Sequence, residues 1–272
     1  NHYILVGCMM KGLNRTQLKL IAVGAMVCDH VAWGFLDFMS PLAQIMHIIG
    51  RLTIPIMCFF IAEGFERTSN LAKYITRMVI FWLVSIIPFY LFFHEIYDYR
   101  QNIIFDLLLG LLLLAVLENR DMPKWQKVIF TTFLFLTSCL IGGWPILPML
   151  FILIFHYKKS FAAKAKWICA INIGFITLLI IAIYFNQIYH FAPYDWVWYD
   201  KLYQYGFMLA LLPLSRYKGE RGQYPFSKLP VRRYFFYSFY PVHFLVLFGS
   251  KCLLENDGHY ILYLGLHVLA LL

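Results

Sequence analysis

One apolar segment near the start of the chain limits what the chain can fold into. Residues 18–38 read LKLIAVGAMVCDHVAWGFLDF, a run that is long enough to cross a bilayer as a helix of roughly 30 Å. Two ionisable residues, Asp29 and His30, lie near the middle of this run. Because burying such groups in lipid costs a few kcal/mol or more, the pair must face protein, a water-filled cavity or a ligand. The segment is therefore a candidate functional site.

The whole chain, like this segment, is rich in hydrophobic residues and poor in charged ones. Of its 272 residues, 61% are hydrophobic and 14% are charged, whereas about 25% are charged in soluble proteins. No polar stretch is long enough to form a separate soluble domain. We therefore predict one integral membrane domain over residues 1–272, folded as an all-α, polytopic transmembrane helical bundle.

Hydropathy, with breaks at charged residues, proline and glycine, predicts about ten helices. The predicted spans are residues 18–38, 43–63, 72–93, 102–118, 125–142, 144–157, 167–187, 201–215, 234–253 and 260–272. The sixth, eighth and tenth are short for a bilayer. They are expected to be tilted, partly re-entrant or merged with their neighbours.

The distribution of positive charge predicts the orientation of the bundle. Alternate loops hold most of the 23 Lys and Arg residues, whereas the intervening loops are acidic and aromatic, as in YHFAPYDWVWYDKLYQY at residues 189–205. The positive-inside rule then makes the N-terminus cytoplasmic. Because the net charge of +9 is spread over many short loops, the expected partner is the lipid bilayer, and nucleic acid is not expected.

The six cysteines predict neither a disulfide framework nor a metal site. None of them forms a CxxC or CxxC/HxxxH pattern, and most lie within apolar spans. They are interpreted as small apolar residues of the helices.

The first span places a lysine and a histidine on one face of a helix. Ten residues separate Lys19 from His30, so both lie on one face of a helix, with His30 about 16 Å deeper. A neutral imidazole can take a proton from a nucleophile and later return it. Asp29 lies about 100° around the helix from His30, where it can pair with another helix. The alternative is that both residues form a purely structural contact.

The second span contains an intramembrane cation, Arg51, four residues before Pro55. An arginine at this depth needs a carboxylate or a ligand anion, and Asp29 and Asp106 are at suitable depths to pair with it. A structural ion pair and an anion-binding role both remain open. His47, near the outer end of the same span, is given little weight.

Two further polar residues lie in later spans. Asp106 follows Asn102 by four residues in the fourth span, where Asn102 is a candidate helix cap. His243 follows Pro241 in the ninth span, near the middle of the membrane. For His243, a functional role and a hydrogen bond to a neighbouring helix remain equally open.

A basic loop precedes the ninth span, with glycines at residues 219 and 222. Glycines beside basic groups suit phosphate capture, although ordinary positive-inside charge explains them equally well. The candidate phosphate-binding residues are Lys19 in the first span and Lys218, Arg221, Arg232 and Arg233 in the loop.

Taken in order, these segments resemble the TraX family of membrane proteins, which is named for the F-pilin acetylase. The resemblance is carried by LKLIAVGAMVCDH (18–30), IIGRLTIPIMCFFIAEGF (48–65), YITRMVIFWLVSIIPF (74–89), NIIFDLLLGLLLL (102–114), YKGERG (217–222) and YFFYSFYPVH (234–243). The chain departs from the family pattern at IIPF, residues 86–89, where an acidic residue is expected before Pro-Phe.

The resemblance implies acetyl transfer from acetyl-CoA to an amine, such as a peptide N-terminus, or to a hydroxyl of an envelope-associated acceptor. It places the protein in the bacterial cytoplasmic membrane, with a peptide or glycan as acceptor. The basic-x10-His spacing of Lys19 and His30 also resembles the membrane acyltransferases that O-acylate envelope glycans, which implies that His30 is the base. The basic clusters would then hold the CoA phosphates, and Arg51 or tyrosine hydroxyls would stabilise the oxyanion.

Two other functions are compatible with the same residues. A proton-coupled secondary transporter or flippase would use Asp29, His30, Arg51, Asp106 and His243 as a proton or substrate path. The absence of a visible repeat counts mildly against this class. A non-catalytic assembly or sensor protein would keep the scaffold without binding a donor.

Overall fold

The computed structural model describes residues 12–93, 100–189, 198–220 and 235–255. Within these ranges the chain is helical, and the extended segments pair only at an isolated bridge between Leu13 and Tyr217. The prediction of an all-α helical bundle is thus confirmed for the described part of the chain.

The helices follow one another with short connections, and we number them in chain order. They are α1 (Arg15–Phe35), α2 (Pro41–Gly50), α3 (Thr53–Arg67), α4 (Leu71–Phe93), α5 (Ile103–Glu118), α6 (Lys124–Ile141), α7 (Leu147–Tyr157), α8 (Phe161–Tyr189), a 3₁₀ helix (Trp198–Tyr205), α9 (Gly206–Leu209), α10 (Leu211–Ser215) and α11 (Phe235–Glu255).

Most of these helices lie within a few residues of the predicted spans. The second predicted span is divided into α2 and α3, and the eighth is a 3₁₀ helix followed by two short α-helices. Helix α8 begins several residues earlier than predicted because Ser160 accepts a hydrogen bond from the N–H of Ala163 and starts the helix there. The tenth predicted span, residues 260–272, lies outside the described residues.

Within the described ranges, four helical segments are long and apolar enough to cross a membrane. They are Arg15–Phe35, Pro41–Arg67, Leu71–Phe93 and Phe161–Asn186. Helix α5 has 16 residues and is about 24 Å long, which is less than the roughly 30 Å hydrocarbon core. The count of about ten spans and the cytoplasmic N-terminus stay predictions.

The interruption between α2 and α3 follows from Pro55. Proline has no N–H to donate to the carbonyl four residues earlier, and its ring clashes with that carbonyl, which here belongs to Arg51. Helix α2 therefore ends at Gly50, and α3 begins at Thr53, which places Pro55 in the tolerated first turn. Arg51 becomes the C-cap residue of α2.

The chain divides into two compact units. The first contains residues 1–57 and 158–229, and the second contains residues 58–157 and 230–272. Within the first unit, α1 packs on α2, and the 3₁₀ helix packs on α2 and α8. Within the second, α4 packs on α5 and α11, and α5 packs on α6 and α7. The single membrane domain over residues 1–272 stays a prediction.

A glycine allows α1 and α2 to approach closely in the first unit. A Cβ atom built on Gly50 would overlap the side chain of Asp29. By contrast, a Cβ atom built on Gly24, also in α1, meets no atom within 4 Å. The missing side chain at Gly50 thus positions Asp29 directly against α2.

We expect the substitution Gly50→Ala to lower the free energy of unfolding by roughly 1–3 kcal/mol, because overpacking forces the two helices apart. The matched control Gly24→Ala should leave stability equal or slightly higher, since alanine is the better helix former. Thermal unfolding of the purified protein in detergent, followed by circular dichroism, measures both. Equal melting temperatures for the two variants would contradict the close approach.

Candidate functional site

The centre of the first unit is the carboxylate of Asp29, which is buried in α1. Its Oδ1 atom lies 2.8 Å from Nδ1 of His47, and its Oδ2 atom accepts a hydrogen bond from the guanidinium of Arg51. Both partners are supplied by α2 and its C-cap. An anion within an apolar bundle thus has both a cation and a hydrogen-bond donor against it.

His47 is fully buried, with 0% of its surface exposed. Its ring is surrounded by the rings of Trp33, Phe38 and Tyr203, with centroid distances of 4.6, 5.4 and 5.4 Å. Its Nε2 atom is buried and makes no hydrogen bond in the described part of the chain. The imidazole is therefore oriented by one nitrogen while the other remains available for a further hydrogen bond.

Arg51 is fixed by several neighbours besides Asp29. Its Nε atom donates a hydrogen bond to the backbone oxygen of His47 at 3.3 Å. Its guanidinium lies 5.1 Å from the ring centroid of Tyr203 and 5.9 Å from that of Phe207. These contacts add cation–π attraction to the ion pair and hold the positive charge at one place.

A second glycine lets the chain after the 3₁₀ helix approach α2. A Cβ atom built on Gly206 would overlap the backbone oxygen of Ile48 and come within 2.9 Å of the Arg51 Cβ. Tyr203 and Phe207 flank this glycine and reach Arg51. Gly50 and Gly206 together permit the dense packing around the ion pair.

His30, the base expected from the sequence, follows Asp29 directly in α1. It is half-buried and lies within electrostatic range of the Asp29 carboxylate. Lys19 is also half-buried and lies nearer the start of the same helix. The role of His30 as the base and the role of Lys19 in phosphate binding stay predictions.

The basic loop is described only in part. The backbone N–H of Lys218 donates to the oxygen of Leu13 at 3.0 Å, and the oxygen of Glu220 accepts from the N–H of Arg15 at 3.0 Å. Gly219 has a φ angle of 75°, a conformation that glycine adopts without strain. The structure thus brings exposed Lys218 to the start of α1, on the helix that carries Lys19. The remaining phosphate-binding candidates, Arg221, Arg232 and Arg233, lie outside the described residues.

Asp106 belongs to the second unit and is fully buried near the start of α5. Its Oδ2 atom accepts a hydrogen bond from the backbone N–H of Trp144 at 3.0 Å. Ser138 accepts from the N–H of Ile146 at 2.9 Å, and Ile146 has a φ angle of 65°, which is strained for a β-branched residue. Asp106 therefore helps to hold the strained loop between α6 and α7.

His243 lies in the same unit, on α11. Its Nδ1 atom is 3.1 Å from the backbone oxygen of Phe239, one helical turn earlier. The ring of Tyr240 lies 5.5 Å from that of His243 and within electrostatic range of Asp106. Within the second unit, the buried Tyr240 thus packs against His243 and interacts electrostatically with Asp106.

One local sequence prediction is confirmed. Asn102 caps α5, since its side chain accepts from the N–H of Ile104 at 3.0 Å. Glu63 forms an ion pair with Arg67 at 2.8 Å. Among the residues that the structure describes, no group of three or more His, Cys, Asp or Glu side chains could hold a metal ion.

Another buried polar pair, Asn172 and Gln204, includes the residue that follows Tyr203 in the chain. Asn172 on α8 donates its Nδ2 hydrogen to the backbone oxygen of Gln204 at 3.3 Å. The side-chain oxygens of Asn172 and Gln204 are buried and accept no hydrogen bond in the described ranges. They are acceptors for a water molecule or for a donor group of a ligand.

Sequence reasoning missed the importance of His47. The available signal was its spacing: His47 precedes Arg51 by four residues, so the two share a helix face that can meet a single carboxylate. Tyr203 was recognisable only as part of an aromatic segment. No local pattern indicated that it would lie against His47 and Arg51.

We expect Asp29→Asn to lower the free energy of unfolding by about 3–5 kcal/mol, because it leaves the Arg51 cation buried without its anion. The double variant Asp29→Leu with Arg51→Met should recover much of this loss by removing both charges. Asp121→Asn, in an exposed loop, is the matched control and should be neutral. Thermal unfolding in detergent measures all three. A double variant no more stable than Asp29→Asn would contradict the ion pair.

Comparison with known proteins identifies the family. The model of the TraX protein family matches residues 14–251. A relative from Dichelobacter nodosus, described as "Probable fimbrial assembly protein FimC, serogroup H1", is 32% identical over 254 residues, which cover 88% of this chain and 96% of the relative. No solved structure matches the chain. The chain with this buried Asp29–His47–Arg51 network belongs to the TraX family of membrane proteins.

Proposed function

We propose that this protein is a membrane-embedded acetyltransferase that moves an acetyl group from acetyl-CoA to an amine of an envelope-associated acceptor. The observation that carries the proposal is the buried network of Asp29, His47 and Arg51, with His30 beside it. It supplies imidazoles, an orienting carboxylate and a fixed cation in an apolar surrounding. These are the groups that acyl transfer needs for proton removal and for charge stabilisation.

The proposed donor site lies at the start of α1. Lys19 lies on this helix, and the segment containing Lys218 pairs with the residues that precede it. Both residues would hold phosphates of CoA, together with Arg221, Arg232 and Arg233. Lys19 is ten residues from Asp29 along α1, about 15 Å. The flexible pantetheine arm would carry the thioester along that distance.

The proposed chemistry is general-base catalysis at the Asp29 network. An imidazole would take the proton of the attacking amine, and the resemblance to the membrane acyltransferases implies this role for His30. Arg51 would stabilise the developing oxyanion through its fixed positive charge. Asp106 and His243 remain candidates for a supporting role in the second unit.

The relative named for fimbrial assembly suggests the biological setting. We infer that the acceptor is a peptide of a pilus or fimbrial subunit, modified during assembly, and that the protein spans the bacterial cytoplasmic membrane several times. A glycan hydroxyl is the alternative acceptor.

The test is turnover by purified protein reconstituted in vesicles with acetyl-CoA and a peptide that has a free N-terminus. We expect release of free CoA together with an acetylated peptide. A secondary transporter would instead move solute without releasing CoA, and a non-catalytic assembly protein would not bind the donor. Either result, for protein that is folded and inserted, would exclude the proposed reaction.

A matched pair of lysine variants tests the donor site. Lys19→Gln should raise the KM for acetyl-CoA roughly tenfold, since loss of one charge-assisted hydrogen bond to phosphate costs about 1.5 kcal/mol or more. Lys73→Gln removes an exposed lysine on α4 and should leave the KM unchanged. Steady-state kinetics at fixed peptide concentration measure both, and equal KM values would remove Lys19 from the donor site.

A further inference from the structure

The second imidazole of the network has an unused nitrogen. Nδ1 of His47 lies 2.8 Å from Oδ1 of Asp29, whereas Nε2 is buried and makes no hydrogen bond within the described ranges. Buried polar atoms in folded proteins are nearly always hydrogen-bonded, so an exception needs a physical explanation. A catalytic or ligand-binding role is one such explanation.

The carboxylate determines which nitrogen carries the proton. An ionised Asp29 can only accept hydrogen bonds, so the Nδ1 atom facing it must donate. The neutral ring then has its lone pair at Nε2. This is the tautomer in which a carboxylate-held histidine serves as a general base.

The carboxylate of Asp29 does not orient His30 in the way that it orients His47. The two oxygens of Asp29 are engaged by His47 and by Arg51. His30 interacts electrostatically with the same group. The carboxylate of Asp29 therefore orients His47 and not its chain neighbour.

From this geometry we infer that His47, oriented by Asp29, is the general base that takes the proton of the acceptor's nucleophile. This inference rests on the proposed acetyl transfer, and it names a residue to which neither the sequence nor the family resemblance gave a role. It also defines the ligand of Nε2 as an N–H or O–H donor, namely the primary amine or hydroxyl of the acceptor. One of the enclosing rings of Trp33, Phe38 and Tyr203 must turn aside to admit it.

The proposed acetyl transfer needs no reactant besides the thioester and the amine. The amine nitrogen bonds to the thioester carbonyl carbon, the C=O electron pair moves to oxygen, and one N–H proton passes to Nε2 of His47. The imidazolium is stabilised by Asp29. The oxyanion then collapses, the C–S bond breaks, and the CoA thiolate takes the proton back from Nε2. The products are the N-acetylated acceptor and free CoA.

The test compares asparagine variants of three histidines. In His47→Asn, the amide N–H replaces Nδ1 against Asp29, so the network is kept while the basic Nε2 is lost. We expect kcat to fall about 10²- to 10⁴-fold, with the melting temperature and the KM for acetyl-CoA unchanged. His156→Asn, in the second unit and outside the network, is the matched control and should keep the wild-type kcat.

His30→Asn decides between the two imidazoles. A wild-type kcat for His47→Asn would overturn the inference, and a hundredfold loss for His30→Asn would then assign the base to His30. If both variants lose activity, His47→Gly and His30→Gly are assayed with added imidazole, which can occupy the space left by the missing ring. Rescue of His47→Gly supports the inference, and rescue of His30→Gly alone overturns it. Wild-type protein that releases no CoA would instead refute the acetyl transfer itself, so the two failures are distinguishable.

Discussion

The ion pair between Asp29 and Arg51 is the interaction on which the first unit depends. Neither charge is stable in an apolar bundle without the other, so α1 and the end of α2 must meet at these residues. Two backbone features allow this contact. Gly50 lacks the side chain that would collide with Asp29, and Pro55 ends α2, so that Arg51 becomes the C-cap of α2. Local sequence features thus serve one electrostatic requirement.

The residues around this ion pair make it a candidate reaction centre and not only a structural contact. Aromatic rings pack against His47 and Arg51, which are both buried, and burial strengthens the electrostatic interactions among these groups. A carboxylate, an imidazole and a guanidinium held in this way need little reorganisation when charge develops on a bound reactant. A purely structural ion pair needs no imidazole nitrogen left without a hydrogen bond.

Much of the fold was predictable because helices in lipid must satisfy their own backbone hydrogen bonds and must be apolar. The limits of α4 and α5 were predicted to within a residue, and Asn102 was recognised as a cap. The break after Gly50 was harder to predict, since Pro55 acts on the carbonyl of Arg51 and not at its own position. The site was predicted in part: Asp29 was one of two carboxylates expected to meet Arg51, whereas His47 was given little weight.

The sequence by itself determined that this chain forms apolar helices and that the charges within them need partners, because both follow from the cost of exposing polar groups to lipid. The tertiary structure decided which partners they are. Asp29 and His47 are 18 residues apart, and Tyr203 is far from both in the chain, so only the packing of α1, α2 and the 3₁₀ helix brings them together. Which imidazole nitrogen is engaged by a carboxylate is a fact of that packing and has no trace in local sequence.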